Sequence, residues 1–396
     1  LHLLSRRQRQ MCIRDRNNAG FALMMKVDQY DEIHFTTYYK YGDFVKSSIK
    51  KCIISSLKKK QKYIELDSWN FLIIDLEGDA EDAKNLFQCI TNSINQLLND
   101  KKQKIYFSIA AGAIELSKEF YSYDRVLECL NFSLNRAEGF NGNKFYLFDM
   151  QHYIRLKRKE EILKHIYWAI NHDFEGFELY YQPIIDINTK SIITLEALLR
   201  LKMKDEYIQP KEFISLLEQT HLILPVGRWV LKTAMESWKE LQQLIPGLKM
   251  NVNMSFVQVN QNNSVQMIID IIKEIDTTLL GIEITETGEL NSNQYYNFCI
   301  GLEKGKRALI LDDYGSGFSN VHRLTAAKPQ YIKIDHSFTK HIIKSDYYRK
   351  ILKNTITDVI KSLGADYMQG CLFARPMDKH SFIKNHKRMS ENFLNN

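Results

Sequence analysis

The second half of the chain alternates strand-like apolar segments with helical segments, and this alternation constrains the fold more than any other feature. Helical periodicity fills most of the intervals, for example residues 210–219 and 228–244. Strands that alternate with helices favour parallel pairing, and about 200 residues of such units predict a (β/α) barrel. The predicted strands are Leu179–Ile185, Ile193–Leu199, Lys249–Met254, Leu280–Thr285, Ala308–Asp313, Tyr331–Asp335 and Tyr367–Phe373.

The number of predicted strands is one short of a closed barrel. A closed barrel of this type has eight strands, whereas the pattern gives seven. The interval between Asp335 and Asp366 has room for one helix and its loops, with no strand pattern left over. We therefore expect a barrel that lacks one βα unit, through either a true deletion or an error in the sequence.

The first half of the chain predicts a separate, smaller α/β domain over residues 21–149. Strand patterns cover 21–27, 63–66, 71–76, 104–111 and 144–148, and the second and third of these form a predicted hairpin. Helical spacing covers 44–57, 82–98 and 123–137. Residues 150–178, which begin with a charged helical pattern, are predicted to connect this domain to the barrel domain of residues 179–386.

The first sixteen residues differ in character from the rest. Residues 1–16 are basic, begin without Met and have no apolar centre of the kind that a signal peptide needs. The string RQRQMCIRDR resembles translated sequencing-adaptor read-through. We expect a non-native tail, with a native basic tail as the alternative.

The amino-acid composition excludes several classes of protein, but it does not show where a functional site lies. The chain has 396 residues, is 44% hydrophobic and carries a formal net charge of +7, which excludes wholesale disorder and fits either a lysine-rich surface or a phosphate-bearing partner. No apolar run is long enough to predict a membrane span. The 6 cysteines include no C-x-x-C pair, which favours free thiols in a reducing, cytoplasmic compartment.

Acidic residues stand at the carboxyl ends of the predicted strands, where a barrel carries its chemistry. A single such residue is ordinarily a helix cap or a solvated side chain. Glu196, Glu283 and Asp312, however, lie inside apolar segments, and carboxylates that converge in a core repel one another unless a cation neutralises them. Together with the Asn253 amide they make an all-oxygen ligand set that suits Mg²⁺ or Mn²⁺.

Asp313 and Lys333 extend this hypothesis. Adjacent strand residues point to opposite faces, but at a strand end the backbone can turn so that Asp312 and Asp313 face one pocket and bridge two metals. Such two-metal sites hydrolyse phosphodiesters. Lys333 lies between Ile332 and Ile334. It is predicted to orient the attacking water or stabilise phosphate charge, and a surface lysine is the alternative.

Residues 179–377 resemble the EAL domain, the family of cyclic-di-GMP phosphodiesterases. The matching segments occur in family order: YYQPIIDINTKSIITLEALLRLK (180–202), FISLLEQTHLILPVGRWVL (213–231), NVNMS (251–255), IEITET (282–287), LDDYGSGFS (311–319), YIKID (331–335) and YMQGCLFARP (367–376). The resemblance implies a TIM-like (β/α)8 barrel, here apparently lacking one unit, that opens cyclic-di-GMP to linear pGpG with Mg²⁺ or Mn²⁺ at a two-metal site.

The resemblance also implies a role for each matching residue. The implied metal ligands are Glu196, Asn253, Glu283, Asp312 and Asp313. Lys333 would act on the attacking water, and Glu286 would steady the loop beside the metals. Gln182, Arg200 and Gln369 would contact the dinucleotide.

One family segment is missing. Between the strands that match YIKID and YMQG the family has a strand with A-E-G-V-E, whose first Glu helps to activate water, whereas here residues 356–364 run directly into 365–370. We therefore expect an impaired phosphodiesterase. The alternatives are a catalytically inactive module that senses cyclic-di-GMP and signals to a partner, and a purely structural interaction protein.

Residues 21–149 resemble a degenerate GGDEF (diguanylate cyclase) domain. Asp28 matches the family's first metal-binding Asp, and YGDF (41–44) resembles the family's G-H-x-x-G-D region. The signature turn is Asp67-Ser68-Trp69-Asn70-Phe71, without its glycines or its acidic residue. Glycine allows close approach to phosphate and the acid helps to hold the metal. Synthesis of cyclic-di-GMP is therefore not expected. GTP sensing, a role in dimerisation and a bare scaffold remain alternatives for this domain. No DNA partner is implied.

Overall fold

The computed structural model describes residues 20–28, 39–67, 69–100, 108–116, 122–138, 144–186, 189, 191–271, 279–285, 292–314, 329–334, 367–369 and 374–395. Its contacts divide the chain into two compact units, residues 1–157 and 158–396. The division falls inside the predicted connector helix. Each unit is described by itself below.

The first unit is a five-stranded sheet covered by helices. Its elements in chain order are β1 (Gly20–Asp28), α1 (Tyr39–Ser56), β2 (Lys62–Glu65), β3 (Asn70–Asp75), α2 (Ala80–Asp100), β4 (Ser108–Leu116), α3 (Tyr123–Ala137) and β5 (Lys144–Leu147). The strand order is β2-β3-β1-β4-β5, and β2 and β3 form the predicted antiparallel hairpin.

Strand β1 shows why both faces of this sheet are covered. Phe21, Leu23 and Met25 pack into the cluster formed with α1 and α2, whereas Ala22 and Met24 pack into the cluster formed with α3. Successive strand residues point to opposite faces, so a strand that is apolar throughout needs a helical layer on each side. The apolar sequence of β1 therefore explains why helices cover both faces of the sheet.

Strand β4 lies further along the chain than predicted. It runs over Ser108–Leu116, and the predicted residues 104–107 lie outside the described part. The small residues Ala110 to Ala113 carry little strand propensity, yet Gly112 is placed where a Cβ would meet the Leu134 backbone nitrogen at 2.3 Å. Close approach of α3 therefore explains why small residues occupy a central strand.

The second unit contains the remaining elements. They are α4 (Met150–Asn171), which begins in the first unit, β6 (Phe177–Asp186), β7 (Ile192–Met203), β8 (Glu206–Ile208), α5 (Pro210–Gln219), α6 (Ile223–Leu244), β9 (Lys249–Asn253), α7 (Phe256–Val259), α8 (Ser264–Ile271), β10 (Leu280–Thr285), α9 (Ser292–Lys304), β11 (Ala308–Tyr314), β12 (Tyr331–Ile334), β13 (Tyr367–Met368), β14 (Met377–Asp378) and α10 (Lys379–Asn395).

The sheet of this unit has the order β12-β11-β10-β9-β7-β6-β13, with β8 paired to β7 and β14 paired to β6. The neighbours from β7 to β12 pair in parallel, as predicted. The expectation of parallel pairing is wrong for β6, which runs antiparallel to β7 and to β13. Only residues 187–191 separate β6 from β7, and a parallel crossover needs a dozen or more residues.

Two further boundaries differ from prediction. Helix α6 begins at Ile223 rather than at residue 228, because Pro225 lies in its first turn, where proline is tolerated. The short strands β8 and β14 were not predicted, since runs of three and two residues carry no readable period.

The strands of the second unit alternate between the helical core and the opposite face. Leu195, Met250 and Ile282 belong to the large apolar cluster formed with the helices. Glu196, Asn251 and Glu283, one position further along each strand, face the other way and contact one another as described below. The same alternation holds for β11, where Leu309 packs against the helices.

The described ladders end at β12 on one side and at β13 on the other. The rings of Tyr331 on β12 and Tyr367 on β13 nevertheless contact each other, with centroids 5.6 Å apart. The two terminal strands of the sheet therefore approach each other. The predicted site of the missing unit, residues 335–366, lies outside the described residues.

Two findings bear on the expectations drawn from composition. None of the described helices combines the length and the apolar character that a membrane span needs. Cys52, Cys89, Cys129 and Cys299 are free thiols, and the other two cysteines lie outside the described residues.

Candidate metal centre

Three carboxylates from three strands meet on the inner face of the second unit. Glu196 on β7, Glu283 on β10 and Asp312 on β11 each contribute an oxygen, and these oxygens lie within 4.8 Å of one another. Glu283 is completely buried, and the Glu196 residue is 4% exposed. Buried carboxylates this close together need positive charge beside them.

The parallel register explains why residues far apart in the chain meet here. Glu196 pairs with Asn251 across β7 and β9, and Glu283 pairs with Asn253 across β9 and β10. Residues paired in this way lie on the same face of neighbouring strands. The sheet then curves so that β12, four strands away from β7, delivers Lys333 to the same point.

Lys333 supplies the positive charge. Its Nζ lies 2.7 Å from Glu196 Oε2, 2.8 Å from Glu283 Oε2 and 3.7 Å from Asp312 Oδ1. These contacts place the ammonium among the carboxylates, while an action of Lys333 on water stays a prediction. One ammonium against three carboxylates still leaves an excess of negative charge.

Three side-chain amides donate hydrogen bonds to the buried carboxylates, and a fourth, Gln182, supports one of them. Asn253 Nδ2 donates to Glu196 Oε1 at 2.8 Å, and Asn251 Nδ2 donates to Glu283 Oε1 at 2.9 Å. Gln369 Nε2 donates to Glu196 Oε2 at 2.5 Å and to Gln182 Oε1 at 3.1 Å. Gln182 in turn donates to the Ala374 carbonyl at 3.0 Å.

The carboxylates respond differently to this environment. Burial acts to raise the pKa of Glu196, but Lys333 and the amide donors hold that pKa below its ordinary value. Burial, and then repulsion by Glu196, raise the pKa of Glu283 to about 8. Burial also raises the pKa of Asp312. For Lys333, burial opposes the charge, but the surrounding carboxylates raise the pKa above its ordinary value. Negative charge is therefore disfavoured at Glu283 and Asp312 relative to an exposed carboxylate.

Gly281 makes room for this arrangement. A Cβ there would lie 2.4 Å from Asn251 Oδ1 and 2.5 Å from Ile310 Cδ1. Both distances are far inside van der Waals contact, so a Cβ at position 281 would require the ends of the Asn251 and Ile310 side chains to move. Gly281 thereby allows Asn251 to reach Glu283.

Asp313 and Glu286 stand apart from the central cluster. Asp313 has a left-handed φ of 53°, and the β11–β12 ladder shifts register between Leu311 and Tyr314. The backbone therefore turns after Asp312, as expected, but Asp313 is not one of the three carboxylates that lie within 4.8 Å of one another. Glu286 lies outside the described residues. Ligation by Asp313 and a role for Glu286 stay predictions.

Arg200 lies four residues beyond Glu196 on the same strand. Its guanidinium carbon is 5.4 Å from the centroid of the Tyr180 ring, and Nη1 donates to the Leu199 carbonyl at 2.9 Å. The predicted dinucleotide contacts Gln182 and Gln369 lie beside Glu196 instead. Asn251 was not predicted as part of the site, although its position two residues before Asn253 gives the same strand face and was readable.

The donor set fits a divalent cation. It consists of carboxylate oxygens and the Asn253 amide oxygen, which are the ligands that hard ions prefer. Three carboxylates opposed by one ammonium leave an excess charge that a divalent ion would neutralise. The cluster therefore has the composition to hold a metal ion.

In the turn that replaces the signature motif of the first unit, Asp67 is hydrogen-bonded within the turn itself. Asp67 accepts hydrogen bonds from the Trp69 and Asn70 backbone nitrogens and from Asn70 Nδ2. Its carboxylate is thus engaged by its own turn. A cavity of about 300 Å³ adjoins the turn. It includes Lys26 and Glu138, which form an ion pair of 2.9 Å. The side chains of Asp28, which the resemblance links to metal binding, and of residues 41–44 lie outside the described part of the structure.

Most of the second unit matches a known family model. Residues 169–365 match the family model described as EAL domain. The probable cyclic di-GMP phosphodiesterase PdeI of Escherichia coli (strain K12) is 31% identical over 261 residues, which are 58% of this chain and 33% of that protein. The cyclic di-GMP phosphodiesterase PA2567 of Pseudomonas aeruginosa is 28% identical over 186 residues, which are 46% of this chain and 32% of that protein.

The chain thus matches about a third of the length of these two curated relatives. Among solved structures, the EAL enzyme Bd1971 with cAMP and cyclic-di-GMP bound aligns with a TM-score of 0.53 at 20% identity. The alignment covers 80% of this chain and 81% of that chain. At this identity the likeness concerns the fold alone.

Proposed function

Because residues 169–365 carry an EAL domain, we propose that the chain hydrolyses cyclic-di-GMP to linear pGpG. The single observation that carries this proposal is the convergence of Glu196, Glu283 and Asp312 within 4.8 Å, opposed by one lysine. The cyclic di-GMP phosphodiesterases among the relatives support the choice of substrate.

The metal ligands in this proposal are Glu196, Asn253, Glu283, Asp312 and Asp313. A bound Mg²⁺ or Mn²⁺ pair would supply an activated water and neutralise phosphate charge. The buried amides of Asn251 and Gln369 hold the carboxylates in fixed orientations, which removes the need to reorganise them during the reaction.

Lys333 has two tasks in this proposal. Its ammonium is held by two carboxylates, so it remains protonated and orients the attacking water towards phosphorus. It also stabilises the negative charge that develops on the phosphate oxygens. The new bond joins the water oxygen to phosphorus, and the P–O3′ bond breaks to leave a free 3′-hydroxyl on pGpG.

We also propose that turnover is slower than in a chain with the complete motif set. The family's A-E-G-V-E strand supplies a glutamate that helps to activate water, and no matching segment stands in the sequence. Loss of a general base costs about 10²- to 10⁴-fold in rate. In this proposal the chain keeps the residues assigned to metal and dinucleotide binding.

A non-catalytic sensor of cyclic-di-GMP is the second candidate. The observation that favours it is the absence from the sequence of the A-E-G-V-E segment. A chain without that glutamate would bind the dinucleotide but lack part of the machinery that activates water. For the first unit, GTP binding remains a proposal drawn from its resemblance alone, as does homodimer formation.

Incubation with cyclic-di-GMP and Mg²⁺ or Mn²⁺, with pGpG followed by chromatography, tests the main proposal. Metal-dependent turnover that disappears in Glu196→Gln but persists in Glu175→Gln is the expected result, because Glu175 is an exposed carboxylate outside the cluster. Binding of cyclic-di-GMP by a folded chain without any turnover would favour the sensor. Absence of both binding and turnover would contradict the assignment of the substrate.

A further inference from the structure

A second group of side chains lies on the same sheet face as the acidic cluster. It consists of one carboxylate, one guanidinium and two phenols, and we name it the rim cluster: Glu178, Tyr180, Arg200 and Tyr207. Of these four residues, only Arg200 is linked to the dinucleotide by the sequence resemblance. The register of the strands explains why the other three lie beside Arg200.

The register of β6 and β7 places Gln182 opposite Glu196 and Glu178 opposite Arg200. Alternate residues of a strand share a face, so this face continues from the acidic cluster through Tyr180 to Glu178. Tyr207 on β8 extends it by one more strand, since it pairs with Lys202. The rim cluster lies about 13 Å along β7 from Glu196, at about 3.3 Å for each residue.

The contacts within the rim cluster orient its carboxylate. Tyr180 donates its hydroxyl hydrogen to the Tyr207 hydroxyl at 3.1 Å, and Tyr207 donates to Glu178 Oε2 at 2.8 Å. The Tyr180 and Tyr207 rings meet edge to face, with centroids 5.9 Å apart. Glu178 Oε1 makes no hydrogen bond to any residue that the structure describes. The Glu178 carboxylate is thus oriented by the hydrogen bond to Oε2, and Oε1 is left to accept a hydrogen bond from a ligand.

Stacking surface is available beside this carboxylate. The Arg200 guanidinium covers one side of the Tyr180 ring and donates a single hydrogen bond, to the Leu199 carbonyl, among the described residues. Its other N–H groups are left for a ligand. Tyr207 is 45% exposed, which is high for an aromatic side chain. Planar bases stack on aromatic rings and on guanidinium planes.

We propose that the rim cluster binds one guanine base of the dinucleotide. The Glu178 carboxylate accepts hydrogen bonds from guanine N1–H and N2–H₂, while Arg200 donates to O6 or N7, the acceptors that arginine reads in guanine. Adenine presents an acceptor at N1 and has no N2 amino group, so the same carboxylate rejects it. This inference rests on the proposed function and adds the residues that determine specificity for guanine over adenine.

Equilibrium binding of cyclic-di-GMP and of cyclic-di-AMP, followed without turnover, tests the inference. Three variants are compared with the wild type: Glu178→Gln, Tyr207→Phe and the control Glu175→Gln. Glutamine cannot accept both guanine donors and carries no charge. Glu178→Gln should therefore weaken binding of cyclic-di-GMP by about tenfold and leave cyclic-di-AMP unchanged, in line with the strength of charge-assisted hydrogen bonds.

Tyr207→Phe removes the hydroxyl that holds Glu178, and it should lower the preference for guanine by about threefold. The control Glu175→Gln should match the wild type. If Glu178→Gln keeps the wild-type ratio of the two affinities, the inference is overturned while the proposed function stands. If the wild type binds neither dinucleotide, both are overturned.

Discussion

Nζ of Lys333 lies 2.8 Å from Oε2 of Glu283, a side chain with no exposure to solvent at all. The ammonium and the carboxylate come from β12 and β10, two strands that do not pair with each other. Their contact therefore depends on the curvature of the whole sheet. The stability of the chain and its chemistry are linked at this point.

Replacing Lys333 by methionine should destabilise the metal-free chain by about 3 kcal/mol at pH 8, because removal of one partner leaves buried carboxylates unpaired. Urea unfolding without metal measures this loss. Mg²⁺ or Mn²⁺ should restore part of the lost stability, since a ligand that binds only the folded state stabilises that state.

Lys379→Met is the control for this prediction. Lys379 pairs with Glu240 at the surface, and loss of this ion pair should cost less than about 1 kcal/mol. Equal losses in both variants would argue against the buried network.

Affinity for Mn²⁺ should fall as pH is lowered from 8 to 6. The pKa of Glu283 is raised to about 8, so below that pH this carboxyl binds a proton that the metal must displace. Below pH 8, each unit should weaken binding by up to about tenfold for one displaced proton. Calorimetric titration in two buffers with different ionisation enthalpies counts the protons released. Glu283→Gln should flatten the pH dependence, and a flat profile in the wild type would contradict the prediction.

The same raised pKa predicts how stability depends on pH without metal. A carboxyl whose folded pKa exceeds its unfolded value destabilises the folded state as pH rises between the two values. For Glu283 this contribution is absent below about pH 4.5 and complete above about pH 8. Unfolding of wild type and Glu283→Gln at pH 5 and pH 8 isolates it. The variant should gain stability relative to the wild type at the higher pH, and a relative loss there would reverse the sign that we expect.

Gly281→Ala should destabilise the second unit by about 1–3 kcal/mol, the usual cost of overpacking. The new methyl would lie within 2.5 Å of both Asn251 Oδ1 and Ile310 Cδ1, and it would push the amide away from Glu283. Thermal unfolding measures the cost. Gly247→Asn is the control, since Gly247 has nothing within 4 Å of a Cβ and asparagine tolerates its left-handed φ of 79°. Normal stability of Gly281→Ala would show that the strands can separate to make room.

The two asparagines of β9 should behave differently. Asn251→Ala leaves buried Glu283 without its amide donor, and it should lower stability by about 1–3 kcal/mol. Asn253 is exposed at the strand end, so Asn253→Ala should mainly weaken Mn²⁺ binding. Unfolding and metal titration of both variants separate the two roles. The assignment fails if Asn253→Ala costs more stability than Asn251→Ala.

The sequence predicted the order of most strands and the burial of several charged residues. It did not predict the direction of β6, which is antiparallel to its neighbours. The apolar neighbours of Glu196, Glu283 and Lys333 predicted that these charges face a protein interior, and they contact one another there. The direction of β6 depends on the length of its connection to β7, not on periodicity. That short connection was visible in the sequence and outweighs the alternation of strands with helices.

Other contacts have no local signal in the sequence. Gln369 reaches Glu196 across a separation that neither periodicity nor spacing encodes. Tyr207 lies on a strand of three residues, too short to show alternation. Such contacts are set by the curvature of the sheet and by the register of its terminal strands. For this reason, the sequence predicted that the central carboxylates lie together, but it did not predict the contacts of the side chains around them.

The reversed direction of β6 decides where the chain enters this domain. Because β6 runs against its parallel neighbours, its first residues stand at the end where those strands finish, beside Glu178 and Arg200. Helix α4, which leads into β6, is tied to the same place: His165 hydrogen-bonds the Lys202 carbonyl at 2.9 Å, and Gly176 accepts from the Lys202 nitrogen at 2.8 Å. The chain therefore enters the domain through β6, which carries part of the rim cluster, and the end of α4 is hydrogen-bonded to the strand that carries Arg200.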